Sequence, residues 1–600
     1  MAHVALVIDD DPVRRGSFTR RVSGLFGGLE ASVSTATLGP LAVVWAVGPR
    51  APVSLRQTAD SLSLLVGYAI DDDDRWIAAH DLPDPWLRER GGGVFDGYHA
   101  GVAYDDRLGL AVAGDPLGLF PLYHGTAGEA AIVATTPEAF RCHRDFRERI
   151  DREALAGTLL VQGPLDDRPL LAGIRRLSRG HRLTWRRGGG LATRAVHQMA
   201  GTPPPPAESP AAVRQRIDAE LIRALRRHRP PAAATALMLS GGLDSRLVAG
   251  CLTDLGVPTR AVTLGLPHDH EVIAGRAVAE RLGMPHAVVS TDGEAADFPA
   301  RVRQMVRFGH LAAAPGGDDF AVGLALAETS EPYFWSGVAL DWAFEPIAHA
   351  NGLDPQSGGW SFDPLLATMN GWGISIGDLP GLLGADGAGL VTAVVDRLRT
   401  ACLAGPGDVV TQSSLLRWDQ RIRNHVAQVL HATTFVSWPL VPATDRRLFA
   451  AILGLPVAAY ERRRLERAVL LARRPDLAAI PLDTNSFRFD PLAEVTGPAR
   501  GFARVVSAGR ARLRALSGRL RGLDPRRYER LFDVNRPRWT AVRLAAEPLR
   551  PRLHEFLCGA AVDRIVPGPG VHVRLTRPVV DGCPIRLLLG LAFWCDRPAV

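Results

Sequence analysis

Ala236-Leu-Met-Leu-Ser-Gly-Gly-Leu-Asp-Ser-Arg-Leu-Val-Ala249 decides how this chain folds. A short apolar run ending at Leu239 meets Ser240-Gly241-Gly242, and Leu243 onward has the spacing of a helix start. Strand, glycine turn and helix N-terminus together aim backbone N–H groups and a helix dipole at an anion. Adjacent glycines allow close approach of a phosphate, and Ser240 and Ser245 add hydroxyl donors. Asp244 fits such a site only with a divalent cation between its carboxylate and the phosphate oxygens. The stretch reads as a site for Mg2+–nucleotide.

Around it the pattern alternates strand and helix. Strands are expected at 233–239, 260–264, 286–290 and 333–336, and helices at 211–227, 244–254, 270–282 and 299–308. That alternation predicts a parallel sheet covered by helices, with ligands at the carboxyl ends of its strands. Ser336-Gly337-Val-Ala-Leu-Asp341 follows the fourth strand as a second turn carrying a carboxylate. Asp244 and Asp341 are the candidate metal ligands, because neutralising a triphosphate takes more than one contact to the metal. His268-Asp269-His270 lacks the spacing of a helical zinc site and reads as a polar loop at a strand end.

The first 199 residues have a different texture. Short apolar runs (4–8, 41–46, 62–69, 108–113, 131–134) alternate with glycine turns and predict a β-rich domain. Residues 200–210, AGTPPPPAESP, form a proline-rich linker, and 211–600 make up the second part. A final apolar stretch, 585–594, reads as a core helix.

Composition excludes several chemistries. All 70 basic residues are arginine. Without lysine there is no Walker A loop, no kinase strand lysine and no pyridoxal Schiff base. Six scattered cysteines without C-x-x-C spacing argue against a zinc or disulfide framework and favour a reducing cytoplasm. No transmembrane segment or signal peptide is expected. A net charge of +7 over 600 residues does not imply nucleic acid. The arginines between 500 and 521, in a stretch free of acid to 523, suggest an amphipathic helix. A solvated face is the simplest reading of it, with contact to an acidic peptide, a partner or a membrane surface left open.

Gly93-Val-Phe95, Asp115 to Tyr123 and Gly173 to His181 resemble, in order and spacing, the glutaminase-like domain of class B asparagine synthetases. Ser-Gly-Gly-Leu-Asp-Ser resembles that family's pyrophosphatase loop, and Ser336-Gly337…Asp341 its second motif. The resemblance implies an α/β protein of two parts: an N-terminal Ntn-hydrolase-like α+β sandwich, then an adenine-nucleotide α-hydrolase-like (PP-loop) synthetase domain with a helical C-terminal part. It also implies ATP and Mg2+. Met238 and Leu264 would flank the adenine, Ser240, Gly241, Gly242, Leu243, Asp244, Ser245, Ser336 and Gly337 would hold the nucleotide, and Asp244 and Asp341 would bind the metal.

Departures from the family point to a particular branch. The family's glutaminase uses an N-terminal cysteine, whereas here Ala2 follows Met1 and the first cysteine is Cys142. Without a thiol, glutamine is not the expected amine source. Val338, Ala339 and Trp342 replace an acid or tyrosine, a glycine and an acid of the second motif. The family's catalytic lysine would fall within 480–488, where Arg488 is the candidate cation in its place and Asp483 a further candidate catalytic residue. The cysteine-less first domain, the chain length and the diverged second half look most like the lasso-peptide cyclases. That resemblance implies a leader-cleaved precursor peptide as substrate, with a leader peptidase and a leader-recognition protein as partners. A β-lactam-type or asparagine-type small-molecule ligase and an inactive scaffold are the alternatives.

Overall fold

The computed structural model describes the chain except residues 30, 90–92, 203–207, 232, 291–296, 312–313, 317–325, 328, 341–360, 406–407, 456–458, 460–462, 483–508, 510–512, 514–525 and 598–600. The protein is a two-domain α/β molecule.

Two antiparallel sheets stack in the first domain. One has the order β11(Ile174–Arg176)-β9(Tyr123–Ala127)-β10(Ala130–Ala134)-β1(His3–Ile8)-β3(Leu41–Val47)-β2(Ser32–Leu38). The other runs β13(Gly190–Ala195)-β12(His181–Arg186)-β8(Gly109–Gly114)-β7(Asp96–Asp105)-β5(Ser61–Ile70)-β4(Val53–Gln57), with β6(Trp76–Ile77) paired to β5. Alternation in β1 sends Val4, Leu6 and Ile8 into the core between the sheets. Ala5 and Val7 face the other way, onto Phe18, Val22 and Phe26 of helix α1(Pro12–Gly27). Helix α2(Pro83–Leu87) covers part of the second sheet, and α3(Arg152–Val161) ends this domain's helical layer.

The second domain begins at α4(Pro210–His228), capped by Ser209. Its sheet has the order β16(His286–Val289)-β15(Thr259–Leu264)-β14(Thr235–Met238)-β17(Tyr333–Trp335)-β18(Trp438–Leu440), and every pairing is parallel. Helices α5(Leu243–Asp254), α6(His270–Leu282) and α7(Phe298–Gly309) connect the early strands. Strand order reverses between β14 and β17, and ligands of open α/β sheets bind at such a switch point. β18 closes the stretch 435–440, whose apolar character does not show by itself that it joins the sheet edge.

Helical segments complete the domain. Cys583–Cys595 is buried along nearly its whole length, from Ile585 to Trp594. Pro578–Cys595 is apolar enough to cross a membrane, with a mean hydropathy of 1.4, but 67% of it is buried within the protein. It is a core helix.

Buried polar bonds hold the two domains together. The Trp418 and Trp438 indoles donate to Leu117 O (2.9 Å) and Tyr98 O (3.0 Å). Arg423 donates to Leu177 O at 2.7 Å, and Arg176 to Asn424 Oδ1 at 2.6 Å. Trp418–Val426, which takes part in three of these four bonds, is a π-helix, a rare form that concentrates at functional sites.

Candidate active site

The strand-to-helix turn after β14 has the shape an anion site needs. Gly241 sits at φ +74°, and a Cβ there would lie 2.5 Å from Ala274 Cβ and 2.6 Å from Gly275 N. Only glycine fits. Gly242 is the N-cap of α5 and has no side chain to satisfy the first-turn N–H groups. Ser240 Oγ accepts from Gly242 N at 3.2 Å and meets Ser245 Oγ at 3.1 Å. Both hydroxyls thus flank the helix N-terminus.

The second turn abuts the first. A Cβ on Gly337 would lie 3.0 Å from Asp244 Cβ and 3.3 Å from Ser245 N. Ser336 is buried and its hydroxyl accepts from Val338 N at 3.2 Å. Ala339 closes the turn at φ +71°. Met238, Leu239, Ser240, Asp244, Ser245, Leu264, Ser336 and Gly337 line one cavity of about 660 Å3. Leu243 turns into the core instead, while Asp341, Asp483 and Arg488 lie outside the described residues.

Residues that the sequence reading did not single out dominate the site's electrostatics. Asp244 pairs with Arg463, and Arg463 Nη2 also lies 2.5 Å from Glu466 Oε2. Glu466 is fully buried, and burial, then the charge of Asp244, push its carboxyl well above the usual range. Arg463 adopts φ 57°, ψ 35°, a left-handed conformation unusual for arginine. Arg527 and Glu271 also line the cavity, with Arg527 Nε 2.5 Å from Glu271 Oε2, and nearby in the chain Arg530 clasps Asp269 at 2.7 and 2.8 Å. Asp269 also accepts from Leu266 N at 2.7 Å, so the His268–His270 loop is tied down by an ion pair. No group of three or more potential metal ligands occurs among the described residues.

Residues 92–195 match the glutamine amidotransferase domain family, and 216–327 match the asparagine synthase family. Over 216–327 the chain is similar to the asparagine synthases.

No curated protein matches it. Among 41 matching chains of solved structure, NMN synthetase from Francisella tularensis is 20% identical over 23% of this chain and 58% of its own length, with a TM-score of 0.17. Glutamine phosphoribosylpyrophosphate amidotransferase from B. subtilis, complexed with ADP and GMP, is 13% identical over 48% of this chain and 65% of its own length, with a TM-score of 0.22. The chain therefore spans between 58% and 65% of the lengths of these two structures.

The amidotransferase-like domain offers no activated thiol among the described cysteines before residue 200. Cys142 is buried in the apolar core, and burial pushes its thiol up to about 12. The domain instead reaches the synthetase cavity. Gln162, the left-handed C-cap of α3, lines it beside Trp372, His425 and Arg586. Its amide Oε1 accepts from Arg421 at 3.3 Å, and its Nε2 lies 3.5 Å from His425 Nδ1. Burial first, then the charges of Arg421 and Arg586, lower His425 to about 3, so the ring is neutral at pH 7. No composition or spacing signal marks Gln162 in the sequence.

Proposed function

We propose that the chain is an ATP-dependent, AMP-forming carbon–nitrogen ligase. The glycine turn carries this reading: Gly241 has no room for a side chain, two serine hydroxyls flank the start of α5, and Asp244 faces Gly337 across the switch point. Those groups fit a nucleotide pyrophosphate, and Asp244 is a hard oxygen donor suited to Mg2+. Asp341 is proposed as its partner ligand, and Asp483 or Arg488 as groups near the reacting centre. Bound Mg2+ would neutralise the leaving pyrophosphate.

The proposed reaction joins an Asp or Glu side chain of a ribosomal precursor peptide to that peptide's own α-amine. The carboxylate attacks the α-phosphorus, pyrophosphate leaves, and the amine then displaces AMP from the acyl group, losing a proton. The protein's work is alignment and charge neutralisation. Two features favour a peptide over ammonia as acceptor: the buried Cys142, and a cavity that continues past the nucleotide loop to Gln162 and His425, which can donate to and accept from peptide groups. Cleavage of the leader by a peptidase and its delivery by a recognition protein would supply the free amine.

Pyrophosphate release tests the proposal. Release stimulated only by leader-cleaved peptide supports the macrocyclase. Release with a small amino-acid derivative moves the assignment to a β-lactam- or asparagine-type ligase, and none with any substrate leaves a scaffold. Asp244→Asn should lower turnover at least about a hundredfold while leaving thermal unfolding unchanged, because it removes charge stabilisation at the reacting phosphates.

A further inference from the structure

We infer that Arg463 is the protein's own cation at the pyrophosphate site: it pairs with Asp244 and Glu466, and would move to the leaving pyrophosphate when a metal takes Asp244. This inference rests on the ligase reading of the same loop.

Three independent observations meet at Arg463. It contacts the carboxylate at the N-terminus of α5, the point towards which the glycine turn directs an anion. Its backbone is left-handed, at an average cost of about 1–2 kcal/mol for a residue with a Cβ. Such strain persists where surrounding structure holds it, and it concentrates at functional sites. The third observation is Glu466, with no exposed surface and neither oxygen in a well-aligned hydrogen bond, although Arg463 lies 2.5 Å away. A buried carboxyl so placed gives the guanidinium a second anchor beside Asp244.

The chain's chemistry requires such a group. Pyrophosphate departs carrying more charge than one divalent ion neutralises, and with no lysine available the remaining protein cation must be arginine. A guanidinium presents a fork that matches phosphate oxygens. Two arginines line the cavity itself, but Glu271 holds Arg527, and the carbonyls of Phe532, Pro578 and Val579 hold Arg586. Arg463 alone among the described arginines is paired to Asp244. Its position also gives an order of events. With Arg463 on Asp244, a metal ion arriving without nucleotide must displace a guanidinium that has no phosphate to receive it. Metal arriving with nucleotide supplies that phosphate.

Two measurements decide the matter. Mn2+ alone, followed by its paramagnetic resonance signal, should bind Arg463→Gln at least about tenfold more tightly than the unmodified chain. Metal-free inorganic pyrophosphate should bind Asp244→Asn/Arg463→Gln at least about tenfold more weakly than Asp244→Asn, while Asp244→Asn/Arg463→Lys stays within about threefold. The double variant has lost one of the two acids, so it answers the question even if Arg463→Gln alone does not fold. Unchanged Mn2+ affinity in Arg463→Gln, or equal pyrophosphate affinity in Asp244→Asn with and without Arg463, overturns the inference. Mn2+–ATP binding that survives Asp244→Asn overturns the ligase reading instead.

Discussion

Ala339 shows how a motif can lose a residue and keep its geometry. The position holds glycine in the family that the sequence resembles, and here the turn remains left-handed, at φ +71°, with alanine almost fully buried. Alanine tolerates this because its only side-chain atom is a methyl, whereas a β-branched residue would clash with its own backbone. Removing the methyl forfeits about 0.8 kcal/mol of burial and relieves about as much strain. Ala339→Gly should therefore shift the urea unfolding free energy by less than about 0.5 kcal/mol, and Ala339→Val should destabilise by about 3 kcal/mol or more. Equal effects of the two substitutions would show that the turn relaxes out of the left-handed region.

Among elements, α5 does more than start a nucleotide loop. Arg246, in its first turn, has no exposed surface and donates to Gly241 O (2.7 Å), Leu477 O (2.9 Å), Ile480 O (2.6 Å) and Pro481 O (3.0 Å). Burial, with no charge-paired carboxylate among the described residues, lowers its guanidinium to about 10. The side chain thus fastens the glycine turn to the segment entering 483–490, where the sequence places Asp483 and Arg488. Charged hydrogen bonds of this kind contribute about 1.5–3 kcal/mol each, and lost donors leave carbonyls buried without partners. Arg246→Leu should destabilise by at least about 3 kcal/mol in urea and raise the KM for ATP more than it lowers kcat. A variant of wild-type stability would remove the strut.

The same helix marks the limit of what could be read from sequence. Its bounds, those of α6 and the parallel sheet followed from hydrophobic periodicity and the glycine turn, which are local signals. Strands β2, β4 and β13 are largely exposed and too polar to stand out, and β18 has only three residues. Partners were not legible at all. Arg246, Arg463, Arg527 and Arg530 are four arginines among 70, and no spacing rule says which will meet a carbonyl, Asp244, Glu271 or Asp269. Long-range pairing is settled by the fold, not by the residue.

At the scale of the molecule, the join between the domains is lined with buried histidines that cannot charge. Burial, the leading cause in every case, lowers His99, His228 and His310 to about 4 and His425 and His431 to about 3. Four of the five sit on cross-domain contacts. His228 meets Tyr68 OH at 2.8 Å, His431 meets Ala2 O at 2.7 Å, His310 meets Glu138 at 3.2 Å, and His425 faces Gln162. A histidine whose folded pKa is depressed destabilises the fold once pH drops below its unfolded value of about 6.5, because only the unfolded chain takes up the proton. Asp115 opposes this: burial raises its carboxyl to about 6, so between about pH 4 and 6 the folded chain holds one proton more there. Burial also lowers His3 well below its ordinary value, and Glu466, like Asp115, keeps its proton in the fold, so near pH 5 six imidazoles less two carboxyls leave a net uptake of about four protons on unfolding, or about 5 kcal/mol of stability lost per pH unit. Against a total of about 5–15 kcal/mol, that slope should unfold the chain between about pH 4 and 6. Potentiometric titration across the transition should count about four protons. His431→Gln, which keeps a donor for Ala2 O and cannot titrate, should remove about one of them and move the midpoint to lower pH. An uptake below about two protons would mean that the domains part before their histidines charge, with the join already open to water in the native state.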